Sequence, residues 1–285
     1  MRRRLDAEVV RRGLASSRTE AQRLIVDGAV AVTGVIARKP ARMTDGAEAI
    51  SLVGPPPRYV GRGGLKLEAA LAEFALDPTG RSCLDAGSST GGFTDCLLQH
   101  GAVRVVAVDV GTAQLHRRLL TDPRVVSLER TDIRSFDVAA GDGPFDVVTA
   151  DLSFVSLRPL AGVLLAAVQT AGDLVVLVKP QFEAGRAEVS AGKGVISDPQ
   201  VRRRCLANTI DSFLGAGGSI MGAMRSPITG AEGNVEYLVH VRPGMAQPLG
   251  AEQPRPISEL LDRVAPPGDD VLRGSALPGD DRGSD

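Results

Sequence analysis

From residue 82 onward, short apolar runs alternate with segments of helical periodicity. The runs predict strands at 82–85, 103–108, 125–128, 145–150, 174–178, 219–225 and 236–241. The periodic segments predict helices near 92–99, 112–119, 159–170 and 200–214, after a first helix that begins at Leu65. Because the strands are apolar almost throughout, both faces of their sheet should be covered. This pattern predicts a doubly wound, Rossmann-like α/β fold with about seven strands.

The first 54 residues follow a different pattern and predict a small α+β domain. Leu5, Val9 and Val10 place one helix at 5–14, with Arg4, Arg11 and Arg12 exposed. Ser16 or Ser17 can cap a second helix, and Glu20 completes a capping box with Ser17. Gly28 ends that helix. A hairpin at 29–37, turning at Thr33-Gly34, and a closing strand at 50–53 complete the domain.

These patterns divide the chain into four parts. A domain at 1–54 is followed by a Pro/Gly-rich linker at 55–64 and the α/β domain at 65–243. The tail at 244–285 is rich in Pro, Gly and Asp, which predicts disorder with one weak helix at 257–264.

The net charge of −1 hides an uneven distribution. Residues 1–60 carry +5, residues 61–243 carry −2 and residues 244–285 carry −4. A basic head suggests that it binds a polyanion, although a solvated arginine face is the alternative. The candidate phosphate contacts are Arg2, Arg3, Arg4, Arg11, Arg12, Arg18 and Arg23.

The remaining composition excludes several classes of protein. Cys83, Cys96 and Cys205 form no CxxC pair, which favours reduced thiols in a cytoplasm over a disulfide framework or zinc site. No apolar run reaches 18 residues, and no apolar core follows the basic N-terminus, so a membrane span and a signal peptide are not expected. The three histidines are scattered, and no metal site is predicted.

A glycine-rich turn follows the first strand of the α/β domain, in Asp85-Ala86-Gly87-Ser88-Ser89-Thr90-Gly91-Gly92-Phe93. Its GxxxGG spacing differs from the dinucleotide fingerprint, and it carries no basic side chain. Acids at the ends of the first three strands suit a cationic ligand with a ribose and an adenine, and S-adenosylmethionine matches these features. A generic α/β turn and NAD are the alternatives. The candidate cofactor contacts are Asp85, Gly87, Ser88, Thr90, Gly91, Gly92, Phe93, Asp109 and Asp132.

Four further residues are predicted to meet at the carboxyl edge of the sheet. Asp151 and Lys179 end the fourth and fifth strands, where such folds bind ligands. Glu236 begins the last strand and reaches the same edge if that strand is antiparallel beside the fifth. Lys66 lies in the first turn of its helix. Partly desolvated lysines near one another lose a proton more easily, so the set suits deprotonation of a hydroxyl. Two unrelated surface ion pairs are the alternative.

With these motifs together, the chain resembles the TlyA (haemolysin A-like) ribosomal RNA 2′-O-methyltransferases. The head resembles an S4 RNA-binding domain at 4–6, 17–21 and 25–30. The body is similar to FtsJ-like methyltransferases in segments that follow one another in the expected order over roughly residues 2–243. These segments are 62–67, 85–93, 150–154, 179–183, 194–198 and 233–237.

The resemblance implies S-adenosylmethionine as methyl donor and a ribose 2′-hydroxyl of ribosomal RNA, at a cytidine, as acceptor. It maps a Lys-Asp-Lys-Glu tetrad onto Lys66, Asp151, Lys179 and Glu236. Among these we choose Lys179 as the base. Ribosomal subunits are the implied partners. Tyr59 occupies the place of an aromatic residue in the family's linker. The alternatives are a non-catalytic RNA-binding or assembly factor, a membrane-active lysin, and a DNA or protein methyltransferase.

Overall fold

A computed structural model describes residues 2–15, 17–54, 57–230, 232–244 and 256–267 of the 285-residue chain. The chain divides into two compact units, Met1–Pro57 and Arg58–Asp285. The division falls inside the predicted linker at 55–64.

The first unit contains two helices and two small antiparallel sheets. Strand β1 pairs with β4, and β2 lies between β3 and β5. The pairing of β1 with β4 was not predicted. The elements are β1 (Arg3–Arg4), α1 (Leu5–Arg11), α2 (Arg18–Val26), β2 (Val30–Val32), β3 (Val35–Ile36), β4 (Met43–Thr44) and β5 (Ile50–Leu52).

Local sequence explains the boundaries in this unit. Ser17 caps α2, because its hydroxyl accepts a hydrogen bond from the Glu20 N–H at 3.2 Å, as predicted. Gly28 follows α2 with a φ of 77°, and Thr33 and Gly34 have φ of 53° and 79°. Two successive left-handed residues make the two-residue turn that matches the twist of a hairpin. Helix α1 ends at Arg11, earlier than predicted, because Gly13 adopts a φ of 71°.

The second unit is a seven-stranded sheet covered by helices on both faces. Two short 3₁₀ helices, Ile133–Ser135 and Arg158–Leu160, lie in its loops. Its elements are α3 (Gly63–Glu73), β6 (Ser82–Ala86), α4 (Gly92–Gln99), β7 (Arg104–Val108), α5 (Arg117–Leu120), β8 (Val125–Leu128), β9 (Phe145–Ala150), α6 (Ala161–Ala166), β10 (Val168–Val178), α7 (Pro180–Glu183), α8 (Arg186–Ala191), α9 (Pro199–Gly215), β11 (Gly218–Arg225), β12 (Tyr237–Pro243) and α10 (Ile257–Val264).

The strand order is β11-β12-β10-β9-β6-β7-β8. Strand β12 is antiparallel to both of its neighbours, whereas the other pairings are parallel. Neighbouring residues of β6 enter opposite cores: Cys83 packs with α3 and α4, and Leu84 packs with α6 and α9. The predicted fold class is confirmed. The antiparallel placement of β12 beside β10 brings Tyr237 opposite Val178, as the position of Glu236 required.

Two predicted helices are shorter than expected. The helix predicted near 112–119 is limited to α5, because the carboxylates of Asp109 and Glu129 accept the N–H groups of Gly111 and Ala113 in a local turn. The helix predicted at 159–170 ends at Ala166. Val168 already pairs with Phe145 at the start of a longer β10.

The ends of the predicted α/β domain are also revised. In the predicted linker, Tyr59 and Val60 are buried in the second unit, and the Val60 N–H donates to Asp95 Oδ2 at 2.8 Å. The helix predicted at 257–264 is α10, which buries Leu261 and Val264 against the core. This part of the predicted tail belongs to the folded unit. Residues 245–255 and 268–285 lie outside the described residues.

Candidate active site

The glycine-rich turn joins β6 to α4 and needs glycine at specific positions. Gly87 has a φ of 84°, and a Cβ there would lie 2.7 Å from the Asp151 carbonyl oxygen. Gly91 has a φ of 95° and precedes the first residue of α4. The turn therefore approaches the end of β9 more closely than any side chain would permit.

A first cavity of about 420 Å³ lies beside this turn, at the carboxyl ends of the parallel strands. Three of the nine predicted cofactor residues line it: Gly87, Asp109 and Asp132. Its other polar walls come from Ser89, Gln114, Thr131, Arg134, Asp151 and Ser153. The size suits a small-molecule ligand.

The other six predicted cofactor residues lie in or next to the glycine-rich turn, but they do not line this cavity. Asp85 is fully buried, and its two carboxylate oxygens accept hydrogen bonds from Thr94 at 2.6 Å and Thr149 at 3.1 Å. Burial raises the pKa of Asp85 to about 6. Ser88, Gly92 and Phe93 are buried, and the Thr90 carbonyl accepts the His116 N–H. Cofactor contact by these residues stays a prediction.

Local hydrogen bonds orient Asp109 and Asp132 at the cavity wall. Asp109 accepts the N–H groups of Ser89 at 2.8 Å and Gly111 at 2.7 Å. Asp132 binds the guanidinium of Arg134, which lowers the pKa of this carboxyl to about 2. Sequence reasoning missed Ser89, Gln114 and Arg134. The only signal for them was that each lies within five residues of a predicted acid.

The four residues of the predicted tetrad form two buried ion pairs. Lys66 Nζ lies 2.5 Å from Glu236 Oε2, and Lys179 Nζ lies 2.6 Å from Asp151 Oδ1. Lys179 also donates to Ser153 Oγ at 2.7 Å. Both lysines are 8% exposed. The four side chains converge in two pairs, Lys66 with Glu236 and Lys179 with Asp151. The sequence did not predict which carboxylate would contact which lysine.

Each member of the tetrad is placed by its local sequence. Lys179 follows the last residue of β10 and caps α7, whose first residue, Pro180, needs no backbone donor there. Lys66 lies in the first turn of α3. Gly230 leaves room for Glu236, because a Cβ at that position would lie 2.6 Å from Glu236 Oε1.

A second cavity, of about 360 Å³, contains three of the tetrad residues: Lys66, Lys179 and Glu236. It shares Ser153 and Phe154 with the first cavity, while Asp151 lines the first. The remaining walls are Gln181, Phe182, Val189, Gly194, Gly230 and Glu232. Two ligands can therefore meet at the shared boundary, beside Lys179.

An aromatic pair stands at this boundary. Phe154 is 91% exposed and has a φ of 64°, a left-handed conformation that is uncommon for an aromatic residue. Its ring lies 5.2 Å from that of Phe182, and Lys179 Nζ lies 5.7 Å from the Phe182 ring. Such exposure of a large apolar ring beside a cavity is a feature of binding sites.

Most of the predicted RNA-contact arginines in the first unit bind its own carboxylates. Asp6 and Glu8 are both fully buried. Nitrogen–oxygen distances of 2.6–3.4 Å join Arg4 and Arg18 to Asp6, and Arg3, Arg11 and Arg12 to Glu8. Because an arginine has five N–H donors, a paired guanidinium can still contact a phosphate.

These pairings correct the expectation that Arg12 is exposed. Its side chain is only 21% exposed and donates to the carbonyls of Gly46 and Glu48, as well as to Glu8. The hydrogen bond from Arg11 lowers the pKa of Glu8 to about 2. Arg2 is exposed, and Arg23 lies on α2.

The sequence profile of FtsJ-like methyltransferases matches residues 59–242, and that of the S4 domain matches residues 3–46. The chain belongs to the FtsJ-like methyltransferase family. The predicted family and the predicted methyltransferase activity are therefore confirmed. The family profile begins at the buried linker residue Tyr59 and ends within β12.

Relatives of this methyltransferase extend over both units. The 16S/23S rRNA (cytidine-2′-O)-methyltransferase TlyA of Mycobacterium tuberculosis is 46% identical over 88% of this chain and 94% of its own. Hemolysin A of Brachyspira hyodysenteriae is 41% identical over 83% of this chain and 98% of its own. A solved structure from Streptococcus thermophilus that carries a hemolysin name has a TM-score of 0.71 and 36% identity, over 92% of this chain and 95% of that one.

No helix in the described part of this methyltransferase is long and apolar enough to cross a bilayer. Among the same residues, no three His, Cys, Asp or Glu side chains lie close enough together to hold a metal ion.

Proposed function

We propose that this methyltransferase transfers a methyl group from S-adenosylmethionine to a ribose 2′-hydroxyl of ribosomal RNA, at a cytidine. The observation that carries this proposal is the pair of buried Lys–carboxylate contacts at the boundary of two adjoining cavities. The names of the M. tuberculosis relative, which specify cytidine and ribosomal RNA, supply the substrate class. A cytoplasmic location follows from this substrate.

The first cavity fits the methyl donor. Asp109 offers carboxylate oxygens for ribose hydroxyls, and Asp132 can accept from an adenine amino group. The glycine turn that borders this cavity carries no basic side chain, and Arg134, which also lines the cavity, is bound to Asp132; this suits a cationic sulfonium rather than a pyrophosphate. S-adenosylmethionine supplies an electrophilic methyl group on a sulfonium sulfur.

Lys179 is the residue that receives the hydroxyl proton. Asp151 and Ser153 fix its Nζ at the boundary between the cavities. In its neutral form Nζ accepts the proton of the 2′-hydroxyl, and the oxygen forms its bond to the methyl carbon as the carbon–sulfur bond breaks. The electron pair of that bond remains on sulfur. Asp151 then stabilises the ammonium, and alignment of the two reactants provides much of the acceleration.

The Lys66–Glu236 pair acts on the acceptor side. Both residues line the second cavity with Lys179. Glu236 balances the charge of the buried Lys66 ammonium there. The exposed ring of Phe154 offers a stacking surface for a nucleotide splayed from its helix.

We further propose that the first unit docks on RNA. Its guanidinium groups can contact phosphates, which supply affinity and position rather than base identity. Four of the five arginines bound to Asp6 and Glu8 keep 41–58% of their side chains exposed: Arg3, Arg4, Arg11 and Arg18.

Substitution of Lys179 tests the proposed function. Lys179→Ala should abolish transfer of tritiated methyl to ribosomal RNA, in free form or in subunits. Lys179→Arg should be equally inactive, because arginine keeps the charge but does not release its proton. Calorimetry should show unchanged binding of S-adenosylmethionine by both variants.

Full activity of Lys179→Ala would reject the tetrad as the catalytic group. Activity of Lys179→Arg alone would show that Lys179 supplies only charge. A wild-type protein that binds RNA but transfers no methyl would favour the alternative, a non-catalytic assembly factor.

A further inference from the structure

Asn234 is a buried polar residue close to the tetrad in sequence, but it is not a member of it. It lies two residues before Glu236, in the segment that leads into β12, and is 1% exposed. Its Oδ1 accepts the Ile196 N–H at 2.9 Å, and its Nδ2 donates to the Gly194 carbonyl at 2.9 Å. The orientation of the amide is unambiguous, because a backbone N–H can only donate and a carbonyl can only accept.

The partner of Asn234 is the loop between α8 and α9, which we call the wall loop (residues 192–198). This loop has no regular secondary structure over 195–198, and Lys193 and Gly194 have φ of 50° and 92°. Gly194 lines the second cavity with Lys66, Lys179 and Glu236. The wall loop is therefore one side of the compartment that we assign to the RNA acceptor.

A second buried side chain binds the wall loop from its other side. Arg202 is 1% exposed on α9, and its Nη1 donates to the Ser197 carbonyl at 2.8 Å and the Ile196 carbonyl at 3.5 Å. Buried side chains thus bind polar backbone groups that regular secondary structure would otherwise satisfy. The conformation of the wall loop depends on Asn234 and Arg202.

We propose that Asn234 is a positioning residue for the acceptor: it fixes the wall loop relative to Glu236 and so sets the fit of the RNA nucleotide in the second cavity. This inference rests on the proposed function. Asn234 does not line either cavity. It acts through Gly194, and the first cavity should not be affected by its loss.

The test is the isosteric variant Asn234→Asp in the full chain. The carboxylate keeps an acceptor for Ile196 but places an oxygen against the Gly194 carbonyl in place of a donor. We expect at least a tenfold rise in KM for ribosomal RNA, a smaller change in kcat, and a Kd for S-adenosylmethionine within twofold of wild type. Hydrogen exchange of the 194–197 backbone should accelerate.

The matched control is Asn208→Asp, since Asn208 is the other asparagine of the chain and lies exposed on α9. It should change none of these quantities. If Asn234→Asp does not fold, Arg202→Met releases the same loop from α9 and should produce the same rise in KM.

An unchanged KM for RNA, with exchange of the wall loop accelerated, would overturn the positioning role and leave a purely structural one. An equal loss of S-adenosylmethionine binding would overturn it as well. An active Lys179→Ala enzyme whose Asn234→Asp variant shows the expected KM would reject the tetrad mechanism while leaving this inference intact.

Discussion

The two ends of the central sheet both bury charges, but they do so differently. At the carboxyl edge each carboxylate of the tetrad has one lysine partner, in the pairs Lys66–Glu236 and Lys179–Asp151. At the amino edge a single carboxylate, Asp173, binds a whole set of cationic or ring nitrogens. Its partners are Arg81 at 2.8 Å, Arg242 at 2.7 Å and His240 at 2.8 Å.

Arginine and lysine differ as partners of a buried carboxylate. Arginine stays protonated and can saturate a carboxylate, whereas lysine can give up its proton. Burial raises the pKa of Asp173, but the hydrogen bonds from His240, Arg242 and Arg81 outweigh it and hold this pKa well below its usual range. The Asp173 cluster lines neither cavity of the candidate site, whereas all four tetrad residues line one. We therefore propose that the Asp173 cluster is structural and that the tetrad is the reactive site.

The largest expected effect comes from the carboxyl edge. Glu236→Gln keeps the shape of the side chain but removes the charge that balances Lys66, so the second cavity becomes more positive. We expect kcat for methyl transfer to fall about 10³-fold, which corresponds to about 4 kcal/mol. The free energy of unfolding should fall by about 2 kcal/mol, because the amide oxygen can still accept from Lys66 but no longer balances its buried charge.

Single-turnover kinetics and urea unfolding of the same preparation measure both quantities. A kcat within tenfold of wild type would place Glu236 with the structural carboxylates and remove the distinction between the two edges.

The opposite result is expected at the amino edge. Asp173→Ala leaves buried His240 and two guanidinium groups without their shared acceptor, so the free energy of unfolding should fall by about 3 kcal/mol. This loss is at the low end of what removing one partner of a buried ion pair usually costs, because Arg81 and Arg242 are 36% and 42% exposed. The kcat of the folded enzyme should not change.

The pH dependence has a definite sign for this carboxylate. Because its folded pKa is lowered, its stabilisation is complete above the unfolded value of 3.8 and disappears as the pH falls below it. Urea unfolding between pH 6 and 2 should show the wild type approaching Asp173→Ala only below about pH 4. Asp142→Ala is the control, since that side chain is 80% exposed in its pair with Arg104. An equal loss in this control would show that burial is not the cause.

The sequence predicts the residues that meet at the carboxyl edge but not those that meet at the amino edge. Asp151, Lys179 and Glu236 follow or precede apolar strands, so the order of strands already placed them at one edge, and β12 beside β10 confirmed it. The choice of partners within the tetrad depends on side-chain geometry and not on position. Sequence alone therefore left the two pairs open.

The amino edge was not predicted at all. Arg81, Asp173, His240 and Arg242 come from three segments far apart in sequence, and each resembles an ordinary polar residue at a strand end. Asp173 also falls just before the strand predicted at 174–178, whereas β10 begins at Val168. The contact between the wall loop and Asn234 escaped prediction for a similar reason, because the two segments lie about 40 residues apart.

A third kind of buried carboxylate, Asp85, has neither lysine nor arginine among its hydrogen-bond partners in the described residues. It lies beneath the glycine turn and binds two threonine hydroxyls. Burial raises its pKa to about 6, opposite to the direction for Asp173. Hydroxyl groups therefore satisfy the geometry of a buried carboxylate without compensating for the cost of its charge.

Replacing Asp85 by Asn removes the charge and should therefore remove the free-energy cost of burying it. The folded protein holds the Asp85 proton up to about pH 6, while the unfolded chain releases it near pH 4, so stability falls as the pH rises through this window. Two pKa units correspond to about 3 kcal/mol, and we expect Asp85→Asn to gain about 2 kcal/mol over wild type at pH 7.5 and little at pH 4. Urea unfolding across that range measures it, with Asp137→Asn, an exposed carboxyl, as control. A variant whose stability follows the wild-type pH curve would mean that Asp85 is ionised in the folded protein at all these pH values. The contrast between cation-bound and hydroxyl-bound carboxylates would then not hold.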